Sequence, residues 1–160
     1  MKNFTDGNAR AAASGYLTTI RSPSFLVLLT AFKKVLSTVN TVSEYLQKKC
    51  IDIGAAMQEI AILKTEIRRL RSDAHWKASI EEAETLAATI NVNLRATIDE
   101  KDETTRERKK PRRIDDNPTS QVRLKYTDTL KIQDFYPVMD KIISELDERF
   151  PLVLGGFQYL

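Results

Sequence analysis

Side chains able to do chemistry are few in this sequence, and they are scattered. His75 is the only histidine and Cys50 the only cysteine, and no second ligand stands at metal-binding spacing from either. Nucleophilic catalysis lacks its parts, because the chain has no G-x-S-x-G and Cys50 has no evident base. No P-loop and no G-x-G-x-x-G is present to cradle a phosphate. The clustered acids Glu81-Glu82 and Glu145-Asp147-Glu148 read as solvated helix faces. His75 reads as a polar residue between helices, and Cys50 as a half-buried thiol beside an apolar face. No catalytic, metal or cofactor residue is assigned, and no small-molecule ligand is expected.

The sharpest chemical feature is the run Arg106-Glu107-Arg108-Lys109-Lys110-Pro111-Arg112-Arg113, in which six of eight residues are cationic. Arg106, Arg108, Lys109, Lys110, Arg112 and Arg113 suit a nuclear import receptor, or DNA phosphates bound with steep salt dependence. No aromatic residue interleaves them, so base stacking is not supported. The plain alternative is a solvated linker whose charge the flanking acids partly balance. Total charge does not decide, since 25 basic against 22 acidic residues leave only +3.

The elements around these residues read as helices. The 160 residues include 5 glycines and 5 prolines, too few turn signals for an all-β sandwich. Ile53, Met57, Ile60, Leu63, Ile67 and Leu70 recur at helical spacing within Ser43–Arg71. Gln58, Glu59, Lys64, Glu66, Arg68 and Arg69 fill most of the other side. A first helix is expected over about Ala9–Ile20, capped by Asp6 or Asn8, with Ala9, Ala12, Ala13, Tyr16, Leu17 and Ile20 on one face. Ser22-Pro23 restarts the chain into a second helix to Lys49, apolar on more than one side. Cys50–Gly54 is the joint to a third helix, with Asp52 as candidate cap; periodicity leaves open whether the two helices are continuous. Asp73 is expected to cap a fourth helix whose stripe runs from Trp76, a packing anchor, through Ile80, Ala83, Leu86, Ala87 and Ile90 to Leu94.

Asp99–Ser120 holds one aliphatic residue in 22 together with two prolines, a composition that predicts disorder. Gln121–Ile132 reads as an extended arm or a short helix. Phe135, Val138, Met139, Ile142, Ile143, Leu146 and Phe150 then mark a last helix, with Asp134 as cap and Pro137 in its first turn. The expectation is all-α: an antiparallel bundle of long amphipathic helices over 1–98, a disordered basic linker over 99–120, and an arm with a docked helix over 121–160.

Two stretches carry a resemblance. Leu46-Gln47, Ile51-Asp52-Ile53, Ala56 and Leu70-Arg71 form one; Asp134–Asp140 and Leu146–Phe150 form the other. In that order they resemble the helical region of hAT-superfamily transposases, above all the transposon-derived zinc-finger MYM-type and protein-kinase-inhibitor-repressor proteins. The resemblance implies a helical insertion from which the nuclease core is missing. The acids of the family sit partly on strands of an RNase-H-like core, and this chain has no β-rich segment to present them. Asp52 and Asp140 match helical positions of the family, and neither is assigned a catalytic role.

The expected function is therefore that of a non-catalytic, transposon-derived helical fragment. It would act through a protein partner or self-association of its helical stripes, coiled-coil fashion, with weak non-specific DNA binding. The alternative is an unrelated intracellular scaffold holding a partner helix in a groove. Localisation is expected to be nuclear, otherwise cytoplasmic. The N-terminus lacks an apolar signal core and no membrane association is expected.

Overall fold

The structure, a computed structural model, describes residues 7–104 and 124–151. The fold is all-α, and among the described residues there is no strand. The helices are α1 (Gly7–Ile20), α2 (Pro23–Leu46), α3 (Ile53–Leu70), α4 (Asp73–Thr89), α5 (Leu94–Thr104), α6 (Tyr126–Leu130) and α7 (Tyr136–Arg149). A π-helical turn, Lys131–Phe135, joins α6 to α7 without a break.

Local chemistry sets most of the boundaries. Ser22 caps α2 by accepting from the Phe25 N–H, and Pro23 follows at the first helical position. α2 stops at Leu46, short of Lys49, and Asp52 caps α3 by accepting from the Ala55 N–H, so the second and third helices are separate. Asn8 lies inside α1 rather than capping it, and Asp6 falls outside the described residues. Ser72, not Asp73, caps α4, because its Oγ accepts from the His75 N–H and leaves the Asp73 carboxylate for other partners. The stripe read as one fourth helix is two. Asn91 adopts φ 55°, the Val92 N–H returns to Ala87 O, and the Asn91 N–H returns to Ala88 O. This is the left-handed cap that ends a helix, with asparagine in the place glycine commonly takes. Asn93 then accepts from the Ala96 N–H and starts α5.

α5 continues through Asp99–Thr104, six residues past the expected edge of the charged linker. The rest of that segment, including the basic run, lies outside the described residues. The last helix also differs from expectation. Asp134 sits within the π turn and caps nothing, since the chain is already helical from Tyr126. Leu130 and Phe135, five residues apart, are both buried in the core. An α-helix would put that spacing out of phase; a π turn bonds at just that interval and absorbs it.

The core lies where α2 meets α3, α4 and α5, and where α7 docks on α3. Leu26, Val27, Ala31 and Val35 of α2 are buried against Leu63, Ile67 and Leu70 of α3 and Trp76, Ala83 and Ala87 of α4. Trp76 is the buried anchor its position suggested. α2 and α4 approach to main-chain contact: Thr30 Oγ1 donates to Ser79 O at 2.8 Å, and His75 Nε2 lies 3.1 Å from Ala31 O. His75 is thus the interhelical polar residue its sequence position suggests. Among the described residues α2 is also the one helix long and apolar enough, by composition, to cross a bilayer. Here it is the central packing element, and its apolar surface exceeds what its neighbours cover.

Candidate interaction surface

Two regions concentrate the side chains able to act: a polar seam that locks α7 onto the bundle, and an uncovered apolar ribbon on α1 and α2.

The seam is built around Phe135, the largest fully buried side chain. Its ring meets Trp76 at 5.2 Å, Phe32 at 5.6 Å, Tyr136 at 5.8 Å and His75 at 5.9 Å between centroids, all tilted. Such tilted arrays are favourable for ring quadrupoles. The Trp76 indole N–H is buried beside them with no acceptor among the described residues.

Ion pairs rim this cluster. Arg71 grips Asp140 with both Nε and Nη2, the latter at 2.9 Å, and its guanidinium lies 4.4 Å from the Tyr136 ring centroid. Tyr136 donates its hydroxyl proton to Asp73 Oδ1 at 2.9 Å, and Lys131 donates to the same oxygen at 3.0 Å. Further along, Asp147 accepts from Arg68 at 2.7 Å and pairs with Lys64 at 3.1 Å. Lys64 departs from the solvent face that its polarity predicts. Its side chain is buried, and its ammonium also donates to Phe150 O. Polarity alone puts it outside; a carboxylate from α7 brings it in.

The electrostatics of the seam come from these bonds. The bonds from Lys131, and then from Tyr136, hold the Asp73 carboxyl below its usual range. Arg71 does the same for Asp140, and Lys64 followed by Arg68 for Asp147. In turn Asp73 raises Lys131, and Asp140 raises Arg71. Burial, and then the bond to Asp73, pushes the Tyr136 hydroxyl up. Every one of these shifts carries its group further from pH 7. That is the direction of an ion-pair lock and opposite to that of a general acid or base working near neutrality.

The same bonds set a pH dependence. The folded carboxyls of Asp73, Asp140 and Asp147 lie below the unfolded value of about 3.9. Their contribution is full above that value and is lost as pH falls through the folded values. Lys131, raised, contributes below its unfolded value of about 10.4 and fails as pH rises through its folded one. Amide protection of α7 is therefore expected to be flat around neutrality and to weaken at the two extremes, as pH falls through the acidic carboxylate range and as it rises through the lysine range. Loss of protection at mildly acidic pH would contradict this assignment.

The ribbon is the other region. Tyr16 (70% exposed), Leu17 and Ile20 end α1, and Phe25, Leu29 and Leu36 (63% exposed) come next on α2. Phe25, Leu29 and Leu36 fall on one helix face, with the half-buried Phe32 between them. No charge occurs between Ala11 and Ile20, or between Ser22 and Phe32. From Ala9 onward α1 is exposed throughout, so the apolar face read from its sequence has no cover within the described chain. Isolated exposed apolar residues are ordinary; a continuous row is not.

The other candidate residues are dispersed. Cys50 is exposed in the α2–α3 turn rather than half-buried. Asp52 is spent on its cap and Asp140 on Arg71. No group of three or more His, Cys, Asp or Glu able to hold a metal ion occurs among the described residues. The two best-formed depressions are open troughs, one at Asp102, Glu103, Leu124 and Lys125 and one on the outer side of α3 at Ile62. Arg106, Arg108, Lys109, Lys110, Arg112 and Arg113 lie outside the described residues. The seam itself is half legible in the sequence: its acids stand out, but their cationic partners lie 69 to 79 residues away for Arg71 and Arg68. Compared with protein-family models, with curated proteins and with solved structures, the chain matches none.

Proposed function

We propose that the chain is a non-catalytic helical interaction module, of the kind found as the insertion region of hAT-like transposases, that pairs with a second copy of itself. The observation that carries this reading is the uncovered ribbon on α1 and α2. The large side chains of the ribbon are apolar, and of the cations that border it, Arg21 and Lys33, the second is already paired with Glu82, so the ribbon offers little to select a charged partner. Ala11, Ala12 and Ala13 leave room for another helix to come close. A two-fold pairing would let the same face cover itself.

The transposase-like part of the reading rests on the sequence resemblance alone; Arg71, which closes its first stretch, grips Asp140 of its second. Arg106, Arg108, Lys109, Lys110, Arg112 and Arg113 serve nuclear import or sequence-independent phosphate contact in this reading. Neutralising those six residues is expected to abolish salt-sensitive retention on DNA, or nuclear accumulation, without altering self-association. A protein that keeps both would reduce the run to a spacer.

The pairing is tested by a Leu29→Glu, Leu36→Glu variant. Both side chains are exposed, so helicity and unfolding should be nearly unchanged. Sedimentation is expected to show association lost in the variant. Equal association by both proteins would remove the ribbon from the account, and capture of a different protein by a monomeric chain would replace the second copy as its occupant.

A further inference from the structure

We infer that the two copies exchange arms: α1 of one chain lies antiparallel along the α2 row Phe25, Leu29, Phe32 and Leu36 of the other. This rests on the self-pairing proposed above and adds which face meets which. Both halves of the contact are uncovered within one chain. Ala9, Ala13, Tyr16 and Ile20 follow one another at steps of three and four on α1, and all are exposed. On α2, Phe25, Leu29 and Leu36 are exposed and Phe32 is half-buried.

The junction between the helices keeps α1 off its own α2. Only Arg21 and Ser22 separate them, and both are bonded: the Arg21 N–H returns to Leu17 O and the Ser22 N–H to Thr19 O, each at 3.0 Å. Ser22 Oγ donates to Thr19 O at 2.7 Å and accepts from the Phe25 N–H at 3.3 Å, so one side chain closes α1 and opens α2. Pro23 disfavours helical backbone at the residue before it, and Ser22 is extended, with ψ 144°. α1 therefore leaves the bundle at an angle these bonds hold. A face held away from its own chain is left for another to cover.

The two rows fit each other in length, bulk and charge. Ala9 to Ile20 and Phe25 to Leu36 are each a step of eleven residues, about 16 Å of helix. With Ile20 set beside Phe25, the antiparallel register puts Tyr16 opposite Leu29, Ala13 opposite Phe32 and Ala9 opposite Leu36. The alanines thus stand where the facing row is bulky, the alternation of small and large that lets helices interdigitate. Neither row contains a charged residue; Arg10 and Lys33 stand beside them, and Lys33 is already paired with Glu82. Exchange is also reciprocal. Each copy gives one helix and receives one, so a two-fold axis closes the assembly at two chains.

A nitroxide on one copy, read by isotope on another, tests the exchange. Ser14 is exposed and lies on the far side of α1 from the row, so a Ser14→Cys, Cys50→Ser chain carries the label without obstructing the contact; Thr18→Cys is the second site should the first disturb the helix. In a mixture with unlabelled, isotope-enriched chain, the amide signals of residues 28–36 are expected to lose most of their intensity. They should regain it when the labelled copy also carries Ala13→Glu. Loss confined to α1 signals, or loss seen only when label and isotope share one chain, would overturn the exchange. Sedimentation of the same mixture keeps the two ideas apart. A two-chain mass with unaffected α2 signals removes the exchange and leaves the pairing, whereas a one-chain mass removes both.

Discussion

Replacing Phe135 with alanine is expected to destabilise the protein by about 3–5 kcal/mol, the range for deleting a buried phenylalanine from a core that cannot close the gap. Phe135 has no exposed surface, and four rings surround it. Two of them, Phe32 and Trp76, belong to α2 and α4, so the side chain is where the C-terminal helical run enters the bundle. The vacated space would be lined by rings held on three different helices. Collapse would require α7 to move, and the bidentate Arg71–Asp140 pair together with Asp147 holds it in place. Urea unfolding followed by Trp76 fluorescence measures the cost, because the indole is Phe135's nearest ring. A loss below about 1 kcal/mol, the size of an ordinary substitution, would mean that Phe135 is not the docking point.

The second large effect is expected from the opposite error, overfilling. Ala31, Ala83 and Ala87 have no exposed surface. Their small size is what lets α2 and α4 come close enough for Thr30 to bond Ser79 O and for His75 to reach Ala31 O. Ala83→Leu places three more carbons in that seam. Overpacking of this kind costs about 1–3 kcal/mol and at times more. Because it separates the helices, it should also break both bonds, leaving Thr30 Oγ1 without its interhelical acceptor. Ala78→Leu, on the exposed side of the same helix, is the control and should change stability by no more than about 0.5 kcal/mol. Thermal unfolding of the pair reads the difference. Equal melting of the two variants would show that α2 and α4 are not closely packed.

How far these residues can be read in advance depends on the range of the forces involved. Ser22-Pro23 and Asp52 announce helix starts because a cap acts within three residues, and the structure keeps both. Trp76 is legible as core because nothing nearby on its face could satisfy so large an apolar body. Asn91 escapes a sequence reading: asparagine tolerates the left-handed cap but signals it more weakly than glycine, and the apolar period happens to continue across it. The π turn escapes it because a five-residue step from Leu130 to Phe135 looks like a break rather than a bulge, which makes Asp134 look like a cap. Lys64 and Asp73 depend on partners far along the chain. Asp147 draws the one inward, Lys131 and Tyr136 occupy the other, and no local pattern records either bond.

The ribbon is legible only as residues. The spacing of Tyr16, Leu17 and Ile20 puts them on one face, and the expectation from sequence is that this face packs within a bundle. In the structure α1 contributes no buried residue to the core, so the same spacing describes a surface rather than an interior. Periodicity shows which residues lie together and says nothing about which side of the protein they end on.

The central claim is that this surface is covered by a second copy of the chain. The most direct measurement is sedimentation equilibrium of the full-length wild-type protein over a wide concentration range. The account predicts a mass that rises from one chain to two with a single dissociation constant, changing little with salt because apolar side chains make the contact, with Arg21 and Lys33 only at its border. A mass that stays at one chain at every concentration, or an association that salt abolishes, would contradict it.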